Sequence, residues 1–284
     1  MVNGLFLCIV TVGVSLQSII KKYYGNKCGG RGAFVFSAVS VFAACLFFVA
    51  CSGFKLEFKT GFLLYALGFA LAYGVSSVFS FLAIKSGSLS LTSLIVSYSL
   101  VIPTFYGLFF LGESVSIPFW IGFALLMISL FLVNGGGESS RISLLWIVFV
   151  LLAFIGNGLC SAIQTAQQKA FSGEYKNEFM IIALLTVCII MAVCSVICER
   201  SEIGECLKKG WHVSLACGII NGIVKLLVML LVSRMNAAIM FPIISAGGII
   251  ISWLVARFVY KEALTAKQNI AMLLGTASVV LMNL

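Results

Sequence analysis

Aspartate is absent from these 284 residues, histidine occurs once, and proline only three times. Charged side chains make up 10% of the chain, against roughly a quarter of an ordinary soluble domain. The nine acidic residues are all glutamate, and none stands in the middle of an apolar run. These gaps exclude whole classes of chemistry. No buried carboxylate pair is available for general acid–base work, and no glycine-rich phosphate loop suggests direct use of ATP. The lone His212 adjoins Trp211 at the edge of an apolar run, where an interfacial place suits it better than proton transfer. No enzymatic activity and no cofactor are expected. Cysteine is plentiful, at ten, but there is no CxxC pair. Most of the cysteines fall inside apolar runs, so they read as small buried hydrophobes rather than metal ligands or disulfide partners.

What is present is apolar: 62% of residues are hydrophobic and the mean hydropathy is +1.17. A crossing of the bilayer needs about 20 mainly apolar residues. Qualifying runs occur at 2–20, 33–51, 62–84, 91–111, 117–133, 143–167, 179–198, 212–233, 237–259 and 268–284. Backbone groups in lipid must pair within their own segment, and these runs lack the alternation of barrel strands, so the expected class is an all-α membrane protein with ten transmembrane helices. The first run has no basic segment before it and no small-residue cleavage site, so it reads as a retained span. The net charge of +9 comes from lysines and arginines placed singly or in pairs at run ends. That placement suits anionic lipid headgroups, which makes membrane lipid an expected partner and nucleic acid not one.

Polar landmarks repeat. Lys85, Glu113 and Asn134 are spaced by 28 and 21 residues, and Arg234, Glu262 and Asn283 repeat both intervals at an offset of 149. Gln17, Lys21 and Lys22 likewise stand 147 residues before Gln164, Gln168 and Lys169. The expected organisation is a first five-helix repeat over 1–134, a Gly/Ser linker at 135–142, and a second five-helix repeat over 143–284. Five is odd, so the second half enters the membrane inverted, an arrangement that puts binding sites near the midplane between the halves. Loops after odd-numbered runs carry 12 lysines and arginines against five on the other side, which by charge alone places both termini outside the cytoplasm.

The stretch from Leu82 to Glu113, LAIKSGSLSLTSLIVSYSLVIPTFYGLFFLGE, is similar to the EamA-like branch of the drug/metabolite transporter superfamily. A basic residue, Lys85, closes span 3, small residues open span 4, and Gly112 and Glu113 precede span 5. The second half repeats this with Arg234, Asn236 to Ala238, and Lys261 with Glu262. The family's proline inside span 4 has its match in Pro103, whereas Pro242 sits near the start of span 9 instead of well inside it. The resemblance covers essentially the whole chain. It implies a secondary transporter in a bacterial cytoplasmic membrane that moves amino acids, metabolites, nucleotide sugars or drugs by alternating access. It also implies cytoplasmic termini, opposite to the charge count.

Lys225 is the sharpest single feature. It lies nine residues from Arg234 and fifteen from Gly210, so its stem reaches only part of the about 13 Å to the nearer end of the helix. A charge at that depth costs at least a few kcal/mol unless it faces protein or water. Lys225 is positioned to neutralise a carboxylate or phosphate on a solute, or to exchange a proton during the cycle; the structural alternative bonds it to carbonyls or to Asn221, one turn earlier. Span 6 carries Asn157, Ser161, Gln164 and Gln168 on one face. That stripe either lines a solute path or bonds neighbouring helices, and Gln17 would mirror Gln164 in the first half. Tyr73, Ser76, Ser77 and Ser80 in span 3, with Ser93, Ser97, Tyr98 and Thr104 in span 4, complete the candidates; the serines have the alternative of bonding their own backbone. Gly218 with Gly222 forms a GxxxG suited to close helix packing. Glu113 and Glu262 read as caps of the helices after them.

The expected function is movement of a small polar solute, an amino acid or a related anionic or zwitterionic metabolite. Its substrate-binding residues would be Lys225, Asn221, Tyr73, Ser76, Ser77, Ser97, Tyr98, Gln17, Asn157 and Gln164. A flippase of a lipid-linked substrate and a non-transporting membrane scaffold stand as alternatives, and pairing of two copies as a homodimer is left open.

Overall fold

The computed structural model describes residues 2–53, 60–112, 116–134, 143–261 and 265–281. Among them the fold is all-helical. Ten helical elements follow one another: α1 (Val2–Lys27), α2 (Ala33–Cys51), α3 (Leu63–Ser86), α4 (89–110), α5 (Ile117–Asn134), α6 (Leu144–Ala170), α7 (Lys176–Cys198), α8 (Ile203–Val232), α9 (Ala237–Phe258) and α10 (Ala266–Leu281). Seven of these, α1 to α4 and α6 to α8, are long and apolar enough to cross a bilayer, so the chain is a multi-pass membrane protein. In α5, α9 and α10 the apolar stretches within the described residues are shorter: Ile117–Ser129, Ile243–Phe258 and Asn269–Ser278.

Two helices differ from the hydropathy reading. α1 does not stop at residue 20 but continues to Lys27, and α8 begins at Ile203 rather than at residue 212. Charged residues end an apolar run without ending a helix. The true stop of α1 is the glycine pair after it: Gly29 and Gly30 take φ of 62° and 73°, and the Gly30 N–H returns to the Gly25 carbonyl, which satisfies the helix end. At the start of α8, Glu205 and Lys209 pair one turn apart, so the charged stretch between the runs 179–198 and 212–233 is largely helical. α4 is one span in two pieces, Leu89–Ser97 and Val101–Phe110, joined by a 3₁₀ turn at Tyr98–Leu100. Pro103 accounts for the break, because it offers no N–H to the carbonyl four residues back, that of Ser99.

Glycines set how closely the helices approach. A Cβ on Gly218 would lie 2.1 Å from the Ser40 carbonyl oxygen, and one on Gly222 would meet the Phe47 ring at 2.7 Å. The GxxxG of α8 thus lies directly against α2. Gly156 allows α6 the same approach to the α3 backbone, and Gly247 allows α9 to reach Thr11 of α1. α2 packs on α7 and α8, α3 on α6 and α7, α1 on α8 and α9, α4 on α6 and α9, and α5 on α10. The N-terminus of α2 is held from across the chain: the Glu199 carboxylate, just after α7, accepts the N–H groups of Phe34 and Val35 at 3.0 and 3.1 Å. Glu113, Glu262, Asn283, Lys55, Lys59, Arg141 and the 135–142 linker lie outside the described residues.

Candidate functional site

Six helices, α1, α3, α4, α6, α8 and α9, enclose a central cavity of about 150 Å³. Each contributes one face at helical spacing. From α1 come Val10, Val14, Gln17, Ser18 and Lys21; from α6, Asn157, Ser161 and Gln164; from α8, Asn221, Val224, Lys225 and Val228. α3 adds Tyr73, Ser76, Ser77 and Ser80, α4 adds Thr92, Ser93 and Ser97, and α9 adds Ser245, Gly248 and Ser252. Among the described residues the lining includes two lysines, ten serine or threonine hydroxyls and four side-chain amides, and no carboxylate.

Lys225 occupies the wall between α3 and α8. Its Nζ lies 5.0 Å from the ring centroid of Phe69 and 5.0 Å from that of Tyr73. Such contacts contribute about 2 kcal/mol where water is excluded. They stabilise the ammonium without consuming its hydrogen-bond donors, and among the described residues no carboxylate pairs with it. The Tyr73 hydroxyl is fixed by Asn221 Nδ2, which donates to it at 2.6 Å, and Gln164 Nε2 donates to the backbone carbonyl of Lys225 at 3.3 Å. Lys225 is therefore braced from α3, α6 and its own helix, with its charge left for something in the cavity. The second lysine, Lys21, donates to Ser80 Oγ at 3.3 Å.

The hydroxyls separate into two groups. Ser245 donates to the Ser97 carbonyl, Ser161 to the Asn157 carbonyl, Ser77 shares a bond with Ser37, and Thr92 accepts from the Trp146 indole. The hydroxyls of Ser18, Ser76, Ser93, Ser97 and Ser252 have no partner among the described residues, and the Ser93 oxygen is fully shielded as well. A buried hydroxyl without a hydrogen bond costs on the order of 1–3 kcal/mol, so several in one cavity mark a place where something else supplies the bonds.

Of the ten residues expected from sequence, nine line this cavity: Lys225, Asn221, Tyr73, Ser76, Ser77, Ser97, Gln17, Asn157 and Gln164. Tyr98 does not. It is buried between α4, α5 and α10, where its hydroxyl meets Ser129 Oγ at 2.7 Å and Ser129 in turn donates to the Ala271 carbonyl. Gly275 makes the room, since a Cβ there would collide with the Tyr98 hydroxyl. The span 6 stripe also divides: Gln168 is buried away from the cavity with its Nε2 on the Gln167 Oε1, while Asn157 both lines the cavity and donates to Ser99 Oγ at 2.7 Å. Lys21, Ser18, Ser252 and the Phe69 ring escaped sequence reasoning. Lys21 had a signal, standing one turn after Gln17 on the same face.

The two ends of the cavity are unlike. At one end Val10, Val224, Val228, Phe241 and Ile244 pack with Leu7, Leu231, Val232 and Met240 into an apolar seal. At the other, Lys21 and Ile84 also line a second cleft of about 340 Å³, which runs to the ends of α1 and α3.

No protein-family model and no curated protein matches this sequence. The fold does recur: 28 chains of solved structures match. One, a crystal structure of a protein, aligns with 97% of this chain and 96% of its own at a TM-score of 0.70 and 15% identity. The likeness is one of fold.

Proposed function

We propose that this chain is a secondary transporter of ten membrane spans, built from two inverted five-helix halves, that carries a small anionic or zwitterionic solute by alternating access. Amino acids and related metabolites head the candidate solutes, and a bacterial cytoplasmic membrane is the proposed setting. The observation that carries the reading is the Lys225 ammonium, held between two aromatic rings in a cavity with no acidic lining residue and no carboxylate partner for it among the described residues. A cation placed at such depth is costly and belongs where it meets a charge of opposite sign.

The order of packing supports duplication. Advancing each helix by five exchanges the α1–α9 contact with α4–α6, α1–α8 with α3–α6, and α2–α8 with α3–α7, while α2–α7, α4–α9 and α5–α10 map onto themselves. The α2–α7 crossing repeats in detail: Cys45 Sγ donates to the Ile181 carbonyl at 3.9 Å, and Cys188 Sγ to the Ala38 carbonyl at 3.8 Å, with both residues shifted by 143. Inverted repeats of this kind place the solute between the halves, which is where Lys225 and Lys21 face the cavity.

A scaffold would spend its buried polar groups on helix contacts, and the free hydroxyls of Ser18, Ser76, Ser93, Ser97 and Ser252 argue against that role. The polar lining likewise favours a water-soluble solute over a lipid-linked one. The test is thermal stability of the detergent-solubilised protein against a panel of amino acids, organic anions, phosphorylated metabolites and organic cations, for wild type and Lys225→Met. A solute that binds the native state raises the midpoint. Stabilisation by an anionic or zwitterionic solute that disappears in the variant is expected; stabilisation by cations alone, or equally in both proteins, overturns the reading.

A further inference from the structure

The central cavity holds two positive charges and, among the described residues, no negative one. Lys21 and Lys225 both line it and no lining residue is acidic; the whole chain has no aspartate, and no glutamate in the middle of an apolar run. The two ammonium groups lie close enough for each to feel the other's charge. Both also meet one helix, α3. Lys225 Nζ stands over the Tyr73 ring, and Lys21 Nζ donates to Ser80 Oγ at 3.3 Å. From Tyr73 to Ser80 is two turns of helix, about 10 Å of rise. An ammonium has three donors, so the Ser80 bond leaves Lys21 with donors to spare, and the ring contacts of Lys225 use none. Ser76, one turn on from Tyr73, and Ser18, one turn before Lys21, add hydroxyls with no partner among the described residues.

Two like charges in one cavity repel each other, and the solute decides whether that repulsion is relieved. A zwitterion brings a carboxylate for one lysine together with an ammonium that has no charge to meet, and the pair stays uncompensated. A dianion cancels both lysines, so that the filled cavity carries no net charge through the bilayer, where an unbalanced charge is costly. Spacing separates one kind of dianion from another. The oxygens of a single phosphoryl group lie too close together to reach donors held two turns apart, whereas carboxylates at the two ends of a short carbon chain reach both. We propose that the solute is a short dicarboxylate without an amino group, bound with one carboxylate on Lys225 and the other on Lys21. This assignment rests on the transport reading for its site, and narrows the solute from anionic or zwitterionic to dianionic.

The test is equilibrium binding to the purified protein in neutral detergent at neutral pH, with two matched sets of probes: succinate, butyrate and aspartate, and glutarate, pentanoate and glutamate. Within each set the carbon chain is constant, and only the second carboxylate or the added ammonium changes. In at least one set the dicarboxylate is expected to bind at least about tenfold more tightly than both its monocarboxylate and its amino acid. In Lys21→Gln the preference for the dicarboxylate over the monocarboxylate is expected to shrink to about twofold or less. That preference is a ratio within one protein, so partial loss of folded material does not move it, and the ranking in wild type decides the matter alone if the variant cannot be recovered. Equal or tighter binding of the monocarboxylate or the amino acid in both sets overturns the assignment, as does a preference that survives Lys21→Gln, or the absence of binding by either dicarboxylate. The transport reading fails separately. It falls when no anion or zwitterion of the wider panel binds in a way that depends on Lys225, and it stands when a monocarboxylate or an amino acid does so in place of a dicarboxylate.

Discussion

The two ends of the central cavity share helix α1 and are opposite in character, α8 and α9 completing the one and α3 the other. Toward the start of α1 the walls are Leu7, Val10, Leu231, Val232, Met240 and Phe241, closely packed and free of polar side chains. Toward its end they are Lys21, Lys22, Lys85 and a run of glycines around a void. From Val10 to Lys21 the wall changes over eleven residues, about 16 Å of helix rise, from a surface that expels water to one that requires it. An alternating-access protein needs this contrast, since one gate must be dry while the other is wet. Here packing alone closes one side, and the other opens on a cleft lined by lysines and glycines.

The comparison can be broken by moving a charge across it. Leu231→Lys places an ammonium in the apolar seal and is expected to destabilise the fold by at least about 3 kcal/mol, lowering the midpoint by several degrees or abolishing recovery of monodisperse protein. Ser18→Lys, on the cavity wall toward the basic end, is expected to leave the midpoint near wild type. The measurement is thermal unfolding in detergent; equal losses from both changes would mean that the ends do not differ as drawn. Lys225→Met sits at the junction, and its removal is expected to weaken solute affinity roughly 100-fold, equivalent to about 3 kcal/mol, as checked by equilibrium binding. Cysteines introduced at the two ends sharpen the contrast in accessibility. Ser252→Cys is expected to react with a small water-soluble thiol reagent at least about tenfold faster than Val228→Cys, a rate set by the fraction of time each site is wet. Modification is followed by mass spectrometry. Ser93→Ala has the smallest expected effect. Its hydroxyl has no partner to lose, so stability should hold or rise slightly, while solute affinity falls by about 1 kcal/mol, or roughly fivefold.

The same contrast explains what could be read from sequence. The seal is made of residues that any apolar count assigns to spans, and Lys225 stands out because an isolated charge inside such a run is rare. Lys21 was hidden by the rule that finds spans: hydropathy ends the first run at residue 20, so a lysine next to it counts as loop. The helix continues because Gln17 and Lys21 share a face turned to the cavity, and its actual stop, the Gly29–Gly30 pair, was legible as a C-terminal signal. Tyr98 erred in the other direction. Its polar tip suggested a pocket, but its partner Ser129 and the gap opened by Gly275 lie far along the chain, and no local pattern joins them. The free hydroxyls were equally invisible, because Ser76, which faces open space, and Ser161, which bonds its own helix, have the same side chain and the same kind of neighbours.

The Glu199 carboxylate that receives the first N–H groups of α2 has a mechanical consequence. Together with the reciprocal thiol contacts of Cys45 and Cys188, it fastens α2 to α7 at its end as well as along its length. Two helices clamped at several levels do not slide or part without losing those bonds together. If the molecule opens to alternate sides as proposed, α2 and α7 are the pair expected to move as one, and the motion would fall to the helices that bear the lysines.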